Sequence, residues 1–377
     1  MSRSILIILI LTFFKTEAQP LVLNVADSLF VNGNYSEAIK VYKTYKNVDA
    51  ISYKLAQSYT AIGNYDEALN FYQRSIQADP DNALLKYEYA KLLSKTKNFQ
   101  TASSVFKQLI ATDSQHPNYH YELGLVYEQL RDSSALSEFK TSFNLDSGHQ
   151  KAIFKLAKRH LQKREFDSVD YYTDIGLKTY ENNLELISLK AQNYYWKKDY
   201  KDASIWFEKL LSLGENSQFV HEKLSFAYSE ISEVEKAIEQ QKLALAKEPR
   251  NIDNNYILGS LFTRVSDYKQ AENYVSKALE LADLPLDSEY MNLGTIQNHQ
   301  KKHQAAIQSF EKALVENPNN MYAAFFLVYT KDDFYKDIDM RIKLYEEFLA
   351  KYPESPFSYK VKSRLAELKQ EKFLKTD

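Results

Sequence analysis

The chain has 377 residues, no cysteine, 48 basic and 50 acidic side chains, and a net charge of −2. Zero cysteine excludes disulfides, thiolate metal ligands and a lipid-modified cysteine behind an export signal. The near-balanced charge carries no signal for an acidic surface, and no nucleic-acid partner is expected.

Residues 1–18 read as a secretory signal: Arg3, an apolar run from Ile5 to Phe14 broken only by Thr12, then Thr16-Glu17-Ala18 before Gln19. The run stops at Lys15, short of the ~20 apolar residues of a spanning helix. The expectation is a cleaved, exported chain with no stable membrane span. The signal is similar to bacterial ones, which implies periplasm or cell exterior.

From residue 19 a short pattern recurs: a turn, an aromatic, Ala three residues on and a large residue four beyond. It reads Gly33-Asn34-Tyr35…Ala38…Tyr42, then Gly63-Asn64-Tyr65…Ala68…Tyr72, and Phe99…Ala102…Phe106. Later copies are Phe166…Val169…Thr173, Tyr200…Ala203…Phe207, Val234…Ala237…Gln241, Tyr268…Ala271…Val275 and His303…Ala306…Phe310, with Ala135 and Phe139 as a shortened one. Positions 65 and 99 are 34 apart, as are 166 and 200, 200 and 234, and 234 and 268. A fixed period of this size predicts stacked helix pairs with a ribbon-like core, not one globular centre. The last stretch is less regular. Met340 to Tyr352 carries an apolar stripe, Pro353 and Pro356 interrupt, and Ser358 to Leu374 is a charged amphipathic segment. It suits a solubilising cap, with a partner-binding helix as the alternative.

Upstream of each Ala stands a second box: Leu55-Ala56…Tyr59, Leu123-Gly124…Tyr127, Leu156-Ala157…His160, Leu224-Ser225…Tyr228, Leu258-Gly259…Phe262 and Leu293-Gly294…Gln297. Pro80, Pro249 and Pro318 follow the second halves. With these boxes the chain resembles a tetratricopeptide-repeat protein, in nine copies over residues 19 to 320 and a degenerate tenth to 354. The resemblance implies an all-α, right-handed solenoid of about nine to ten helix pairs at 19–354, with a capping helix at 355–377. It also implies a concave groove lined by the first helices.

On the groove side, three residues before each small residue, stand Tyr53, Tyr87, Tyr121, Phe154, Ser188, Glu222, Tyr256, Met291 and Phe325. One turn further are Gln57, Lys91 and Lys158, and beyond 190 the lining changes to Gln192, Tyr195 and Trp196. The candidate ligand groove is therefore Tyr53, Gln57, Tyr87, Lys91, Tyr121, Phe154, Lys158, Gln192, Tyr195, Tyr256 and Phe325. Tyr53, Tyr87, Tyr121 and Phe154 are expected to form one strip flanked by Lys91 and Lys158. Such aromatics either give rigid contact area to a ligand or lie half-buried between successive first helices.

No catalytic constellation, cofactor motif or metal site is read from the chain. His299 and His303 flank a turn, and His116 and His120 straddle Pro117. The neighbours Asp332-Asp333 and Glu346-Glu347 point apart on a helix and read as solvated faces. The family's clamp for a C-terminal carboxylate is not matched: Lys151 and Lys155 fit its last members, but Tyr87, Lys91 and Glu122 stand where Lys, Asn and Asn are needed. The expectation is a non-enzymatic scaffold of the cell envelope or exterior that binds a protein or peptide in the groove, with glycan or cell-wall binding through the aromatic ladder as the alternative and an enzyme as a distant third.

Overall fold

The structure, a computed structural model, describes residues 22–282 and 286–376. The expected signal at 1–18 lies outside the described residues. Among the described residues there are α-helices and one short 3-10 turn, and no strand. The helices follow one another as ten pairs and a final single helix. Two compact units divide after Leu186.

The first unit holds α1 (22–31) and α2 (Tyr35–Tyr42), α3 (Ser52–Ala61) and α4 (Tyr65–Ala78), α5 (Ala83–Lys95) and α6 (Phe99–Thr112). It continues with α7 (Pro117–Leu130) and α8 (Ala135–Leu145), then α9 (Gln150–Gln162) and α10 (Phe166–Thr179). Helix α11 (Leu184–Lys197) follows. The second unit contains α12 (Tyr200–Ser212), α13 (Gln218–Glu230), α14 (Val234–Lys247), α15 (Ile252–Arg264), α16 (Tyr268–Leu281), α17 (Asp287–His299) and α18 (His303–Glu316). It ends with α19 (Met321–Phe334), α20 (Ile338–Lys351) and α21 (Ser358–Thr376). From α2 to α10, and again from α12 to α21, each helix packs on its neighbours in sequence.

Local chemistry starts and stops these helices. Asn64, Asp199, Asn251, Asp267 and Asn320 each accept a bond from a first-turn backbone N–H, as N-caps do. Within each of the first nine pairs the chain turns through one left-handed residue: Gly33, Gly63, Lys97, Arg131, Arg164, Lys198, Ser232, Ser266 and Lys301. At Lys198 the bonds are Asp199 N–H to Tyr194 O and Lys198 N–H to Tyr195 O, the Schellman closure that satisfies orphan carbonyls.

Burial follows the repeat register. Ala38, Ala68, Ala102, Ala203 and Ala306 are fully buried, as are Phe106, Phe207 and Phe310 four residues after the last three. Small residues of the first helices admit these rings. A Cβ on Gly124 would lie 2.6 Å from the Phe139 ring, and one on Gly294 2.7 Å from the Phe310 ring. Each ring buried in this way contributes about 1.5–3 kcal/mol.

The final helix closes the second unit. Val361 and Leu368 of α21 pack with Phe325, Ile342, Tyr345 and Phe348 of α19 and α20. Asp332, expected on a solvated face, is instead buried among them. Its carboxylate accepts from Arg341 Nε at 2.5 Å, Arg364 Nε at 2.9 Å and Tyr345 Oη at 3.0 Å. Burial opposes its ionisation, but these donors together hold the carboxyl below its ordinary value. The solvated-face reading fails because α21 brings Arg364 over Asp332; its neighbour Asp333 stays exposed.

Candidate ligand-binding face

The first-helix aromatics do not form one open strip. Tyr53 and Tyr87 are half-buried, and their hydroxyls reach into the next repeat. Tyr53 donates to Glu88 at 3.2 Å, and Tyr87 donates to Glu122 at 3.3 Å. Glu88 also accepts from Tyr72 at 2.8 Å, while Gln57 donates to the Tyr53 hydroxyl at 2.8 Å. Lys91 sits 4.0 Å from Glu122 and over the Tyr87 ring at 5.3 Å. Burial, then the adjacent Glu88, pushes the Tyr53 phenol up to about 12. Burial also raises the Glu122 carboxyl, against the pull of Lys91 and Tyr87.

Further along, the strip is interrupted. Tyr121 is only 8% exposed, packed on Phe139 and His149 with centroids 5.8 and 5.1 Å away. Phe325 is 9% exposed and stacks on Phe357 at 4.0 Å. Both rings are thus largely covered by neighbouring side chains. Phe154 is half-buried with the Lys158 ammonium over it at 5.4 Å. Gln192 turns back to its own helix, donating to Ser188 Oγ at 3.1 Å.

The remaining candidates gather in hollows. In the first unit, Gln57, Tyr87, Lys91, Glu88 and Lys95 line a space of about 560 Å³ between α3 and α5. In the second, Tyr195 and Tyr256 border a space of about 650 Å³ between α13 and α15. The slot that carries tyrosine at 53 and 87 is Glu222 here, so no ring crosses to the next first helix. Glu222 accepts from Asn254 Nδ2 at 2.7 Å and from Gln218 Nε2 at 2.8 Å. Gln241 of α14 donates to Asn254 Oδ1 at 2.9 Å from behind. Above this fixed polar floor stand Phe226 and Ile257, 42% and 43% exposed. Lys223 lies over the Tyr195 ring at 4.8 Å, and Arg264 is held by the Ser229 hydroxyl and carbonyl.

Sequence reasoning missed Glu88, Gln218, Asn254, Phe226 and Ile257. For Glu88 a signal existed, since it stands 35 residues after Tyr53, as Glu122 stands after Tyr87. The histidine pairs are not brought together as ligands. His120 contacts Glu138 at 2.7 Å, His116 stacks on Tyr119, and His299 stacks on Tyr268. Among the described residues no cluster of three or more His, Asp or Glu could hold a metal ion. Among them, too, no helix is long and apolar enough to cross a membrane.

Sequence profiles of the tetratricopeptide repeat match residues 23–83, 59–123 and 288–320. The chain carries tetratricopeptide repeats. A curated relative, Superkiller protein 3 of Schizosaccharomyces pombe, is 21% identical over 251 residues, covering 60% of this chain and 18% of that protein. The match thus takes in less than a fifth of the relative's length. Among solved structures, the C-terminal part of a TPR repeat-containing protein from Cytophaga hutchinsonii aligns with TM-score 0.51 and 18% identity, over 64% of this chain and 99% of that one. YrrB, described as a TPR protein with an unusual peptide-binding site, aligns with TM-score 0.47 and 16% identity over 50% and 96%. For the Cytophaga hutchinsonii structure, at 18% identity, the likeness is one of fold. An all-α tetratricopeptide scaffold suggests protein–protein interaction in general, and such repeats are typically non-enzymatic.

Proposed function

We propose that the chain is an exported, non-enzymatic scaffold that binds an extended segment of a partner protein across α13 and α15. The observation that carries this is the pairing of exposed Phe226 and Ile257 with the fixed Gln218–Glu222–Asn254 floor. Exposed apolar anchors supply area, while polar groups already held in place lose little entropy when they meet a peptide backbone. Export to the cell envelope or exterior is supported by Arg3, the Ile5–Phe14 run and Thr16-Glu17-Ala18.

A photo-reactive residue at position 257 tests the binding reading in envelope extract. Crosslinking to a polypeptide, weakened at least tenfold by Phe226→Ala, is the expected result. Retention of a polysaccharide instead, or crosslinking indifferent to Phe226→Ala, overturns it. For export, N-terminal sequencing of the native protein should begin at or near Gln19; an intact Met1 in a cytosolic fraction overturns that part.

A further inference from the structure

We infer that a second site, in the first unit, takes an acidic peptide segment through its aspartate or glutamate side chains. A hollow of about 650 Å³ lies where the end of α7, the start of α8 and the second half of α9 meet. Arg131, Lys155, Lys158 and Arg159 line it, opposed by Glu128 and Asp132. Four positive and two negative groups leave an excess of two positive charges. Lys155 is neutralised by Glu128 at 2.5 Å. Asp132 is committed to the turn, where it accepts from the Ser134 backbone N–H at 2.9 Å. Arg131, Lys158 and Arg159 form no ion pair among the described residues, and all three are exposed.

Helix C-termini attract cations, and α7 and α9 both end here. One cation at each end would meet that need. The additional positive charge faces open space beside an apolar floor of Leu136 and Phe139. Guanidinium groups pair with carboxylates in two-pronged hydrogen bonds, so Arg131 and Arg159 suit that ligand. The choice of carboxylate over phosphate follows from Glu128 and Asp132. They disfavour a compact dianion, whereas two single charges spread along a peptide match the excess of two.

The probe is a fluorescent hexaglutamate peptide titrated into the full chain at low salt, followed by anisotropy. Binding should weaken at least tenfold in Arg131→Glu and in Arg159→Glu, and fall as salt rises. Arg159→Gln should give a smaller loss in the same direction. Lys97→Glu, an exposed turn lysine outside the hollow, should leave affinity unchanged. Circular dichroism of each variant separates lost binding from lost fold. Equal weakening by Lys97→Glu, or no effect of the Arg variants in folded protein, overturns the site as general charge attraction. Tighter binding of a phosphoserine peptide than of hexaglutamate overturns the assignment to carboxylates.

Discussion

The first helices at 53–122 and those at 218–256 use the same slot for opposite ends. In the first region Tyr53 and Tyr87 fill the slot, and the hydroxyl of each reaches a glutamate in the following repeat. The ring becomes joinery between repeats, and much of the apparent ligand strip is spent on stacking. In the second region Glu222 occupies the slot in α13, while Tyr256 keeps a tyrosine there in α15. The Glu222 carboxylate gathers Gln218 and Asn254, and the space a ring would cross stays open with Phe226 and Ile257 beside it. At α13 the slot side chain thus stays within its polar cluster, whereas Tyr53 and Tyr87 cross to the next first helix.

The largest effect is expected where the two regions are alike. Phe106 and Phe207 sit in the same second-helix position and are both fully buried. Truncation of either to Ala should cost about 3–5 kcal/mol, read as a fall in urea midpoint. A small loss at either position would mean that the register is wrong there.

Next comes the slot itself. Glu222→Tyr places the first region's residue in the second region and leaves Gln218 and Asn254 without their shared acceptor. The expected cost is about 1–3 kcal/mol, with the α13–α15 hollow filled and partner binding lost. Retained binding in the folded variant would break the link between an open slot and a ligand. A smaller effect follows from Tyr87→Phe, which deletes one strap and keeps the ring. About 0.5–1.5 kcal/mol is expected, and a double-mutant cycle with Glu122→Gln should return a coupling of at least ~0.5 kcal/mol. Zero coupling would reduce the strap to proximity.

This contrast also marks what could be read in advance. The helix pairs were legible because Ala38, Ala68, Ala102 and Ala203 hold one register and each demands a close helix neighbour. The position of the slot was legible for the same reason. What its side chains meet was legible only as the shared 35-residue spacing of Tyr53–Glu88 and Tyr87–Glu122; that the hydroxyls bond there needs the packed helices. The Gln218–Glu222–Asn254 floor has no periodic counterpart and needs the packed helices to appear. Asp332 was misread because the rule that adjacent residues point apart says nothing of which side α21 will cover.

The smallest expected effect is a difference in acid response. Burial raises the Glu122 carboxyl above its unfolded value. A group shifted in that direction contributes stability that is fully present below the unfolded pKa and lost as pH rises through the folded one. Going down from neutral pH, Glu122 therefore favours the fold increasingly as it takes up its proton. Asp332 behaves in the opposite sense: its folded pKa is lowered, so its contribution is present above the unfolded value and disappears as pH falls through the folded one. Melting curves of wild type, Glu122→Gln and Asp332→Asn between pH 7 and pH 3 separate the two. Relative to wild type, Glu122→Gln should lose ground as pH falls, because it cannot gain the proton. Asp332→Asn should recover ground over the most acid part of the range, because wild type then forfeits the interaction that the variant already lacks. Parallel curves for Glu122→Gln would show that its carboxylate is solvated in the folded chain, and the tyrosine strap would then have no buried acceptor to explain it.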